Sequence, residues 1–149
     1  MKAYIAAPMF SQAEKEFNLL VDAVVRSLGL DTYLPQRDGG EAARLVRQGM
    51  DEHTVRQRLF DLDCAAIADC VVFVFVLDGR VPDEGACVEL GMAFAHGKPC
   101  FGLQTDSRRF GGTDSNNLMI DYALTGDIAA SLGELADNLR AHLRELAIR

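Results

Sequence analysis

The chain has 149 residues, the length of an ordinary domain, and we expect one domain over residues 1–149. Hydrophobic residues make up 49% and charged residues 25%, which excludes a disordered or fibrous protein. The formal net charge of -7 argues against a nucleic-acid partner or a polybasic membrane anchor, because both targets are anionic.

Strand and helix patterns alternate along the chain. In chain order they predict a strand at 2–7, a helix at 11–28, a strand at 30–34, a helical region at 41–68, a strand at 71–77, a helix at 84–96, a strand at 99–103 and a helix at 131–147. Ser11 and Glu14 form a capping box at the first helix, and Gly29 is placed to end it. A break in the second helical region is expected near Gly49.

This alternation predicts an α/β fold, because right-handed crossovers between strands give a parallel sheet covered on both faces. We expect a doubly wound parallel sheet flanked by helices, of the flavodoxin-like or Rossmann-like type. Ligands of such folds bind beyond the carboxyl ends of the strands. The loops after Ala7, Leu34, Leu77 and Leu103 should therefore meet in one crevice, and the polar turn at 35–40 is a candidate ligand loop.

The longest apolar run, residues 70–77, is far shorter than a membrane-spanning helix. Pro8 and the charged residues at 14–16 follow the first apolar stretch too soon for a signal peptide. We therefore expect a cytoplasmic protein with no membrane contact. The four cysteines form no C-x-x-C pair and lie apart from the histidines, so we expect reduced structural thiols and no metal site.

Several familiar catalytic and phosphate-binding motifs are missing. No G-x-G-x-x-G follows the first strand, residues 91–98 do not fit a P-loop, and no G-x-S-x-G occurs. These absences argue against a Rossmann dehydrogenase, a P-loop NTPase and a hydrolase with a serine nucleophile elbow. We expect no cofactor.

Acidic residues are what the predicted crevice contains. Asp78 and Asp83 follow the central strand, and Glu89 lies on the next helix beside small residues that would let a ligand approach closely. Asp83 is also explained as a helix N-cap, and Glu89 as part of a solvated helix face, although burying a carboxylate without a purpose is costly. Asp61 and Asp63, on the preceding helix, either reach the crevice or face water.

Paired carboxylates without metal-ligating histidines limit the chemistry. One class they favour is substitution at an anomeric carbon, where one carboxylate attacks and another carboxyl protonates the leaving group. An aspartate-rich magnesium site is the competing interpretation.

Five segments in this order carry a family resemblance: residues 4–10 (YIAAPMF), 72–79 (VFVFVLDG), 83–91 (DEGACVELG), 97–99 (GKP) and 117–119 (NLM). Together they resemble the nucleoside 2-deoxyribosyltransferase family. The similarity covers most of the chain except the final helix, and the Asp-x5-Glu-Leu-Gly segment is its most specific part.

The resemblance implies roles for the acidic residues. Glu89 matches the nucleophile that attacks C1′ of the 2-deoxyribose and forms a covalent glycosyl-enzyme. Asp83 matches the acid that protonates the departing base, and Tyr4 matches a tyrosine that orients the nucleophile. Asp63 falls where a second base-contacting aspartate is expected, with Asp61 as the alternative.

The resemblance also implies the partners. Nucleosides and free nucleobases are the expected ligands, with contacts from Ala7, Phe10, Gln36, Asp78, Gly85, Asn117 and Met119. Gln36 lies in the loop that approaches the base, and Asn117 reaches the sugar in a neighbouring subunit's site, which implies a homo-oligomer, a dimer or a hexamer. The expected reaction is base exchange with retention, in nucleotide salvage, and the FVLDG segment leans towards purines.

Two rival functions remain open. A related hydrolase of nucleoside 5′-monophosphates would carry a Gly-Ser-rich loop after the first strand and a serine near the position of Asn117, where this chain instead has residues 7–10 (APMF) and Asn117. Residues that could still bind a phosphate are Ser11, Arg37 and Ser115. A non-catalytic nucleotide-binding or receiver-like module is the second rival, but Lys98 and Pro99 precede a strand, whereas a receiver's Lys-Pro pair follows one.

Overall fold

The computed structural model describes residues 1–39, 42–106 and 116–148. Its strands are β1 (Lys2–Ala6), β2 (Asp31–Tyr33), β3 (Val72–Val76) and β4 (Cys100–Leu103). Its helices are α1 (Gln12–Ser27), α2 (Pro35–Asp38), α3 (Ala42–Arg47), α4 (Glu52–Asp69), α5 (Glu84–Ala95), α6 (Leu118–Asp121) and α7 (Leu132–Ile148).

The described strands form one sheet in the order β2-β1-β3-β4, and every neighbouring pair is parallel. The predicted α/β fold with a parallel sheet flanked by helices is confirmed. The chain leaves β1 towards β2 on one side and later returns to β3 on the other side. A crevice therefore opens between the carboxyl ends of β1 and β3, where parallel sheets bind ligands.

Alternate residues of each strand face opposite layers of the fold. Ala3 and Ile5 of β1 pack with buried residues of α1 and α7 on one face. Tyr4 and Ala6 pack on the other face with buried residues of α4 and α5. The completely buried β3 contributes to both layers, which is why its sequence is apolar without interruption.

Local sequence signals fix the ends of several helices. The Ser11 side chain accepts a hydrogen bond from the Glu14 amide, and the Glu14 carboxylate accepts one from the Ser11 amide, so the predicted capping box is confirmed. Gly29 follows α1 with a φ of 83°, and Gly49 separates α3 from α4 with a φ of 93°. Both glycines lie in the left-handed region that side chains disfavour, and both predicted helix ends are confirmed.

Two short helices were not expected from the sequence. The polar turn predicted at 35–40 is α2 over most of its length, because Pro35 suits a first helical position and the Asp38 carboxylate accepts from the Leu34 amide. Helix α6 begins just after the predicted polar loop at 105–117. Residues 107–115 of that loop, including Ser115, lie outside the described residues.

No helix within the described ranges is long and apolar enough to cross a membrane. The four cysteines are unpaired, and two of them, Cys70 and Cys100, are buried in the core. Across the part of the chain that the structure describes, no group of three or more histidine, cysteine or acidic side chains could hold a metal ion.

Candidate active site

A row of three aromatic rings crosses the sheet beneath the crevice. Tyr33 of β2, Tyr4 of β1 and Phe73 of β3 are partners in the strand register and face the same layer. The ring centroids of Tyr4 and Tyr33 are 5.3 Å apart, and those of Tyr4 and Phe73 are 5.5 Å apart, both stacked. The spacing follows from the distance between adjacent strands, about 4.8 Å. This aromatic row is a rigid floor built from the core.

The Glu89 carboxylate meets this floor. Helix α5 packs on the sheet through Ala86, Leu90 and Ala93, which are buried. Glu89 lies beside Leu90 and is carried towards β1, where the Tyr4 hydroxyl donates a 2.7 Å hydrogen bond to its Oε1. The structure therefore brings together two of the residues predicted to act at the sugar. Tyr4 is completely buried, so its hydroxyl has a fixed direction.

Asp63 reaches the same floor from α4. The Tyr33 hydroxyl donates a 2.9 Å hydrogen bond to Asp63 Oδ1. Asp61, the alternative raised by the sequence, instead accepts from the Gln57 amide on the exposed side of α4. Of these two aspartates, Asp63 is the one that lies close enough to Tyr4 and Glu89 for its charge to act on both.

Asp83 is the N-cap of α5. Its Oδ1 accepts a 2.7 Å hydrogen bond from the Ala86 amide, so the interpretation as a helix cap is confirmed. A Cβ atom at Gly85 would lie 3.2 Å from Asp83 Oδ1, closer than ordinary contact. The absence of a side chain at position 85 therefore leaves room for the Asp83 carboxylate.

Burial dominates the electrostatics of the site. It raises the pKa of Glu89 to about 7; the Tyr4 hydrogen bond opposes that rise, and the nearby charges of Asp63 and Asp83 add to it. Burial also raises the pKa of Asp63, against the opposing hydrogen bond from Tyr33. The pKa values of Tyr4 and Tyr33 are raised, first by burial, so both hydroxyls remain protonated donors.

Comparison with known proteins shows the family to which the chain belongs. The sequence model of the nucleoside 2-deoxyribosyltransferase family matches residues 3–139, nearly the whole chain. The chain belongs to this family. The chain is therefore an enzyme of a family that acts on nucleosides and nucleobases by transferring or hydrolysing glycosyl groups. No protein of curated function matches the chain in sequence.

Solved structures share the fold. A conserved protein from Enterococcus faecalis V583 superposes with a TM-score of 0.77 at 25% identity, covering 95% of this chain and 98% of its own. A 2-deoxyribosyltransferase from Bacillus psychrosaccharolyticus superposes with a TM-score of 0.70 at 22% identity, covering 94% of this chain and 90% of its own. The CMP N-glycosidase BcmB from Clostridium botulinum superposes with a TM-score of 0.60 at 17% identity, covering 93% of this chain and 98% of its own.

The Gln36 side chain is hydrogen-bonded to α1 at both ends of its amide. Its Oε1 accepts from the Asn18 side chain at 2.9 Å, and its Nε2 donates to the Lys15 carbonyl at 2.9 Å. Both ends of the amide are thus engaged with α1. Each end of the amide keeps a second hydrogen-bonding position, one N–H and one oxygen lone pair, so these bonds do not exclude contact with a base, and the binding role of Gln36 remains a prediction.

Asp78 joins two of the crevice loops. Its carboxylate accepts hydrogen bonds from the Thr105 amide at 2.5 Å, the Thr105 hydroxyl at 2.6 Å and the Asp106 amide at 2.9 Å. It therefore ties the loop after β3 to the loop after β4. A direct contact of Asp78 with substrate stays a prediction.

The remaining predicted contacts lie at the outer parts of the site or on the surface. Ala7, directly after β1, is half-buried, whereas Phe10 is exposed. Asn117 caps α6 by accepting from the Met119 amide at 2.9 Å, and both side chains are exposed. The structure of one chain leaves their contacts with substrate as predictions.

Tyr33 was missed from the sequence. Its relation to Tyr4 depends on β2 lying beside β1 in a particular register, which a single strand pattern does not reveal.

Arg37, considered for phosphate binding, is instead bonded to both oxygens of Asp22 and to the Thr32 carbonyl. It braces β2 and α2 against α1.

Two cavities flank the sheet at opposite edges. One of about 330 Å³ lies at the carboxyl edge on the α1 side and is lined in part by Pro8, Asn18 and Asp78. A larger one of about 870 Å³ lies at the amino edge, near Cys70 and Pro99, and contains none of the predicted site residues. Asp78 is the one predicted site residue that lines the smaller cavity, and Tyr4, Asp63 and Glu89 line neither of the two.

Proposed function

We propose that the protein is a nucleoside 2-deoxyribosyltransferase that exchanges the base of 2′-deoxyribonucleosides through a covalent glycosyl-Glu89 intermediate. One observation carries the proposal: a carboxylate is held by a fully buried tyrosine hydroxyl at 2.7 Å, at the crevice of a fold that belongs to this family. The hydrogen bond leaves Glu89 Oε2 free to attack. A role in nucleoside salvage would follow.

The proposed first step breaks the bond between C1′ and the base nitrogen. Glu89 attacks C1′ as positive charge develops on the sugar, and the bonding electrons leave with the base. Asp83 supplies the proton that turns the leaving group into a neutral base, and Asp63 contacts the base. Tyr4 keeps the attacking oxygen aligned without taking part in proton transfer.

The proposed second step reverses these movements with another base. A nitrogen lone pair of the incoming base attacks C1′, the C1′–Glu89 ester bond breaks, and the Glu89 carboxylate is regenerated. The proton lost by the incoming base returns to Asp83. Each step inverts C1′, so the product keeps the original configuration.

The rival reaction, hydrolysis of nucleoside 5′-monophosphates, requires a phosphate site. The amino terminus of α1, beside the crevice, is where a helix would offer one. The Glu14 carboxylate already accepts the Ser11 amide there at 2.6 Å and would repel a phosphate. Arg37 is engaged by Asp22 and Asp38. These contacts support an unphosphorylated substrate.

The deciding experiment incubates the protein with 2′-deoxyinosine and adenine without added metal. We expect 2′-deoxyadenosine and hypoxanthine, and mass spectrometry of the quenched protein should find one 2-deoxyribosyl group on Glu89. Accumulation of free 2-deoxyribose, or consumption of a monophosphate alone, would contradict transfer. Glu89→Gln should abolish the reaction, whereas Glu84→Gln, which changes an exposed carboxylate on the same helix, should retain it.

Exposed apolar side chains on α5 and α6 support the expected oligomer. Val88 is 61% exposed and Phe94 58% exposed on α5, and Met119 and Tyr122 around α6 are 74% and 83% exposed. Surfaces of this kind are normally covered by a partner. We infer that a second copy of the chain covers them and that Asn117 completes the neighbour's site.

A complementation experiment tests this shared site. Glu89→Ala and Asn117→Ser should each be inactive, and serine retains an oxygen that can cap α6. A mixture of the two, refolded together, should regain activity, because one mixed site contains both intact residues. Full activity of Asn117→Ser alone, or an inactive mixture that sediments as an oligomer, would contradict a site built from two chains.

A further inference from the structure

The proposed reaction assigns no role to the Tyr33 hydroxyl, a polar group of the site. The Tyr33 hydroxyl lies on the crevice face of β2 and donates to Asp63 Oδ1 at 2.9 Å. Its ring is stacked on Tyr4, with an angle of 19° between the planes. Tyr33 is half-buried, so its hydroxyl is held in place by the sheet and by one carboxyl group.

The two tyrosines repeat one arrangement on adjacent strands. Tyr4 donates from β1 to Glu89 of α5, and Tyr33 donates from β2 to Asp63 of α4. Because the two residues are register partners, their hydroxyls leave the sheet side by side. The distance between the two carboxyl groups is therefore governed by the spacing of two strands.

The hydrogen bond also makes the two oxygens of Asp63 unequal. Oδ1 accepts from a hydroxyl that stays protonated, so a proton carried by Asp63 belongs on Oδ2. The other titratable groups that act on or around this carboxyl are Tyr4 on β1, Glu89 on α5 and Cys64 on its own helix. Among these contacts, Tyr33 makes the hydrogen bond to Asp63.

We propose that Tyr33 is a positioning residue that holds Asp63 Oδ1, so that Oδ2 alone faces the base. In this arrangement Tyr4 positions the group that reacts with the sugar, and Tyr33 positions the group that reads the base. The part of the inference that concerns the base rests on the proposed function. The control of Asp63 by Tyr33 does not, and it is tested without substrate.

The first test measures the titration of the Asp63 carboxyl by ¹³C NMR in the full chain, with Asp63→Asn used to assign the signal. Tyr33→Phe removes a donor that stabilises the carboxylate, so the midpoint should move to higher pH. Tyr4→Phe is the matched control, because it removes the equivalent hydroxyl from Glu89 and should chiefly move the Glu89 signal upward. An Asp63 midpoint unchanged by Tyr33→Phe would overturn the proposal.

The second test uses base exchange under single-turnover conditions with enzyme in excess. Tyr33→Phe should raise the concentration of acceptor base needed for half-maximal rate roughly five- to tenfold, the effect of one lost hydrogen bond. In an Asp63→Ala background the same substitution should change it less than about twofold, because the group it acts through is gone. An equal loss in both backgrounds would mean that Tyr33 acts only on the structure, and would overturn the proposal.

The two arms separate the two hypotheses. A shifted Asp63 titration without base exchange would contradict the proposed transferase function and leave the positioning of Asp63 by Tyr33 standing. Base exchange with an unshifted titration would support the transferase and reject the role of Tyr33.

Discussion

The Glu89 carboxyl is subject to opposing influences at the scale of single residues. Burial and the charges of Asp63 and Asp83 favour its protonated form, while the Tyr4 hydrogen bond favours the carboxylate, and the result is a pKa of about 7. A nucleophile must be ionised to attack, yet a carboxylate that is poorly solvated is also more reactive. In the proposed mechanism, the pair formed by Tyr4 and Glu89 therefore controls the fraction of the enzyme that is active at a given pH.

The pH profile of base exchange should reveal this pair. We expect kcat/KM to rise with pH through a midpoint near 7, as Glu89 loses its proton. Tyr4→Phe removes the hydrogen bond that favours the carboxylate, so its midpoint should lie at higher pH. Initial rates of adenine transfer measured across the pH range test both statements, and an acid limb unmoved by Tyr4→Phe would contradict them.

Asp83 combines a structural and a proposed chemical role, and two substitutions separate them. Asparagine is as good an N-cap as aspartate, so the free energy of unfolding of Asp83→Asn should lie within about 0.5 kcal/mol of the parent's. That of Asp83→Ala, which removes the cap, should be about 1 kcal/mol lower. Both should slow base release by roughly a hundredfold, because neither can donate a proton. Urea unfolding and single-turnover release of hypoxanthine are the measurements.

A rescue experiment provides the control for Asp83. A 2′-deoxynucleoside whose purine is methylated at N7 carries positive charge, and its base leaves without being protonated. Asp83→Asn should release this base nearly as fast as the parent. An equal defect with both substrates would remove Asp83 from the role of acid.

At the scale of elements, the loop after β2 is held by charge. Arg37 bonds to both oxygens of the buried Asp22, to the Thr32 carbonyl and to Asp38, and so fixes α2 against α1 and β2. The Thr32 hydroxyl also donates to Asp22. This brace keeps Gln36 at its place beside the crevice.

Removing the brace should be costly for stability. Arg37→Met leaves Asp22 buried with Arg26 as its remaining ion pair, and we expect the free energy of unfolding to fall by about 2–3 kcal/mol. Arg56→Met, which breaks the exposed pair with Glu52, should cost less than about 0.5 kcal/mol. Urea unfolding of the two variants compares them, and equal losses would contradict a structural role for Arg37.

The same scale shows what could be predicted from the sequence. The strands, the capping box and the break at Gly49 depend on neighbouring residues, and these predictions hold to within a residue or two. The short helix α2 was missed although its signals, Pro35 and the Asp38 carboxylate, are local. The hydrogen bonds of the Gln36 amide instead depend on Lys15 and Asn18, which lie far along the chain. Tyr33 depends on strand register, and local patterns do not determine it.

For the whole molecule, the site carries a thermodynamic cost. The pKa of Glu89 is 4.5 for the ordinary carboxyl and about 7 in the fold, so the folded state holds this proton more tightly than the unfolded chain. The contribution of Glu89 to stability therefore falls as pH rises from 4.5 to about 7. In the proposed mechanism, activity requires the ionised form of Glu89, whereas folding favours its protonated form.

Glu89→Gln should remove the loss of stability that ionised Glu89 causes. Glutamine can still accept from Tyr4 but carries no charge, so at about pH 8 the variant should be more stable than the parent by about 1–3 kcal/mol. The difference should shrink towards zero below about pH 4.5, where the parent carboxyl is protonated in both states. Urea unfolding at fixed protein concentration at both pH values decides, and a difference independent of pH would contradict the explanation.

The aromatic row has a consequence for how the enzyme tolerates change. Phe73 and Val74 are neighbours on β3 and are both completely buried, but only Phe73 stacks on Tyr4. A substitution at Phe73 that the core accommodates would still displace the hydroxyl that aligns Glu89, whereas one at Val74 acts on the opposite layer. If the proposed mechanism holds, the rate of base exchange limits which core residues are acceptable on this face of the sheet more strictly than folding does.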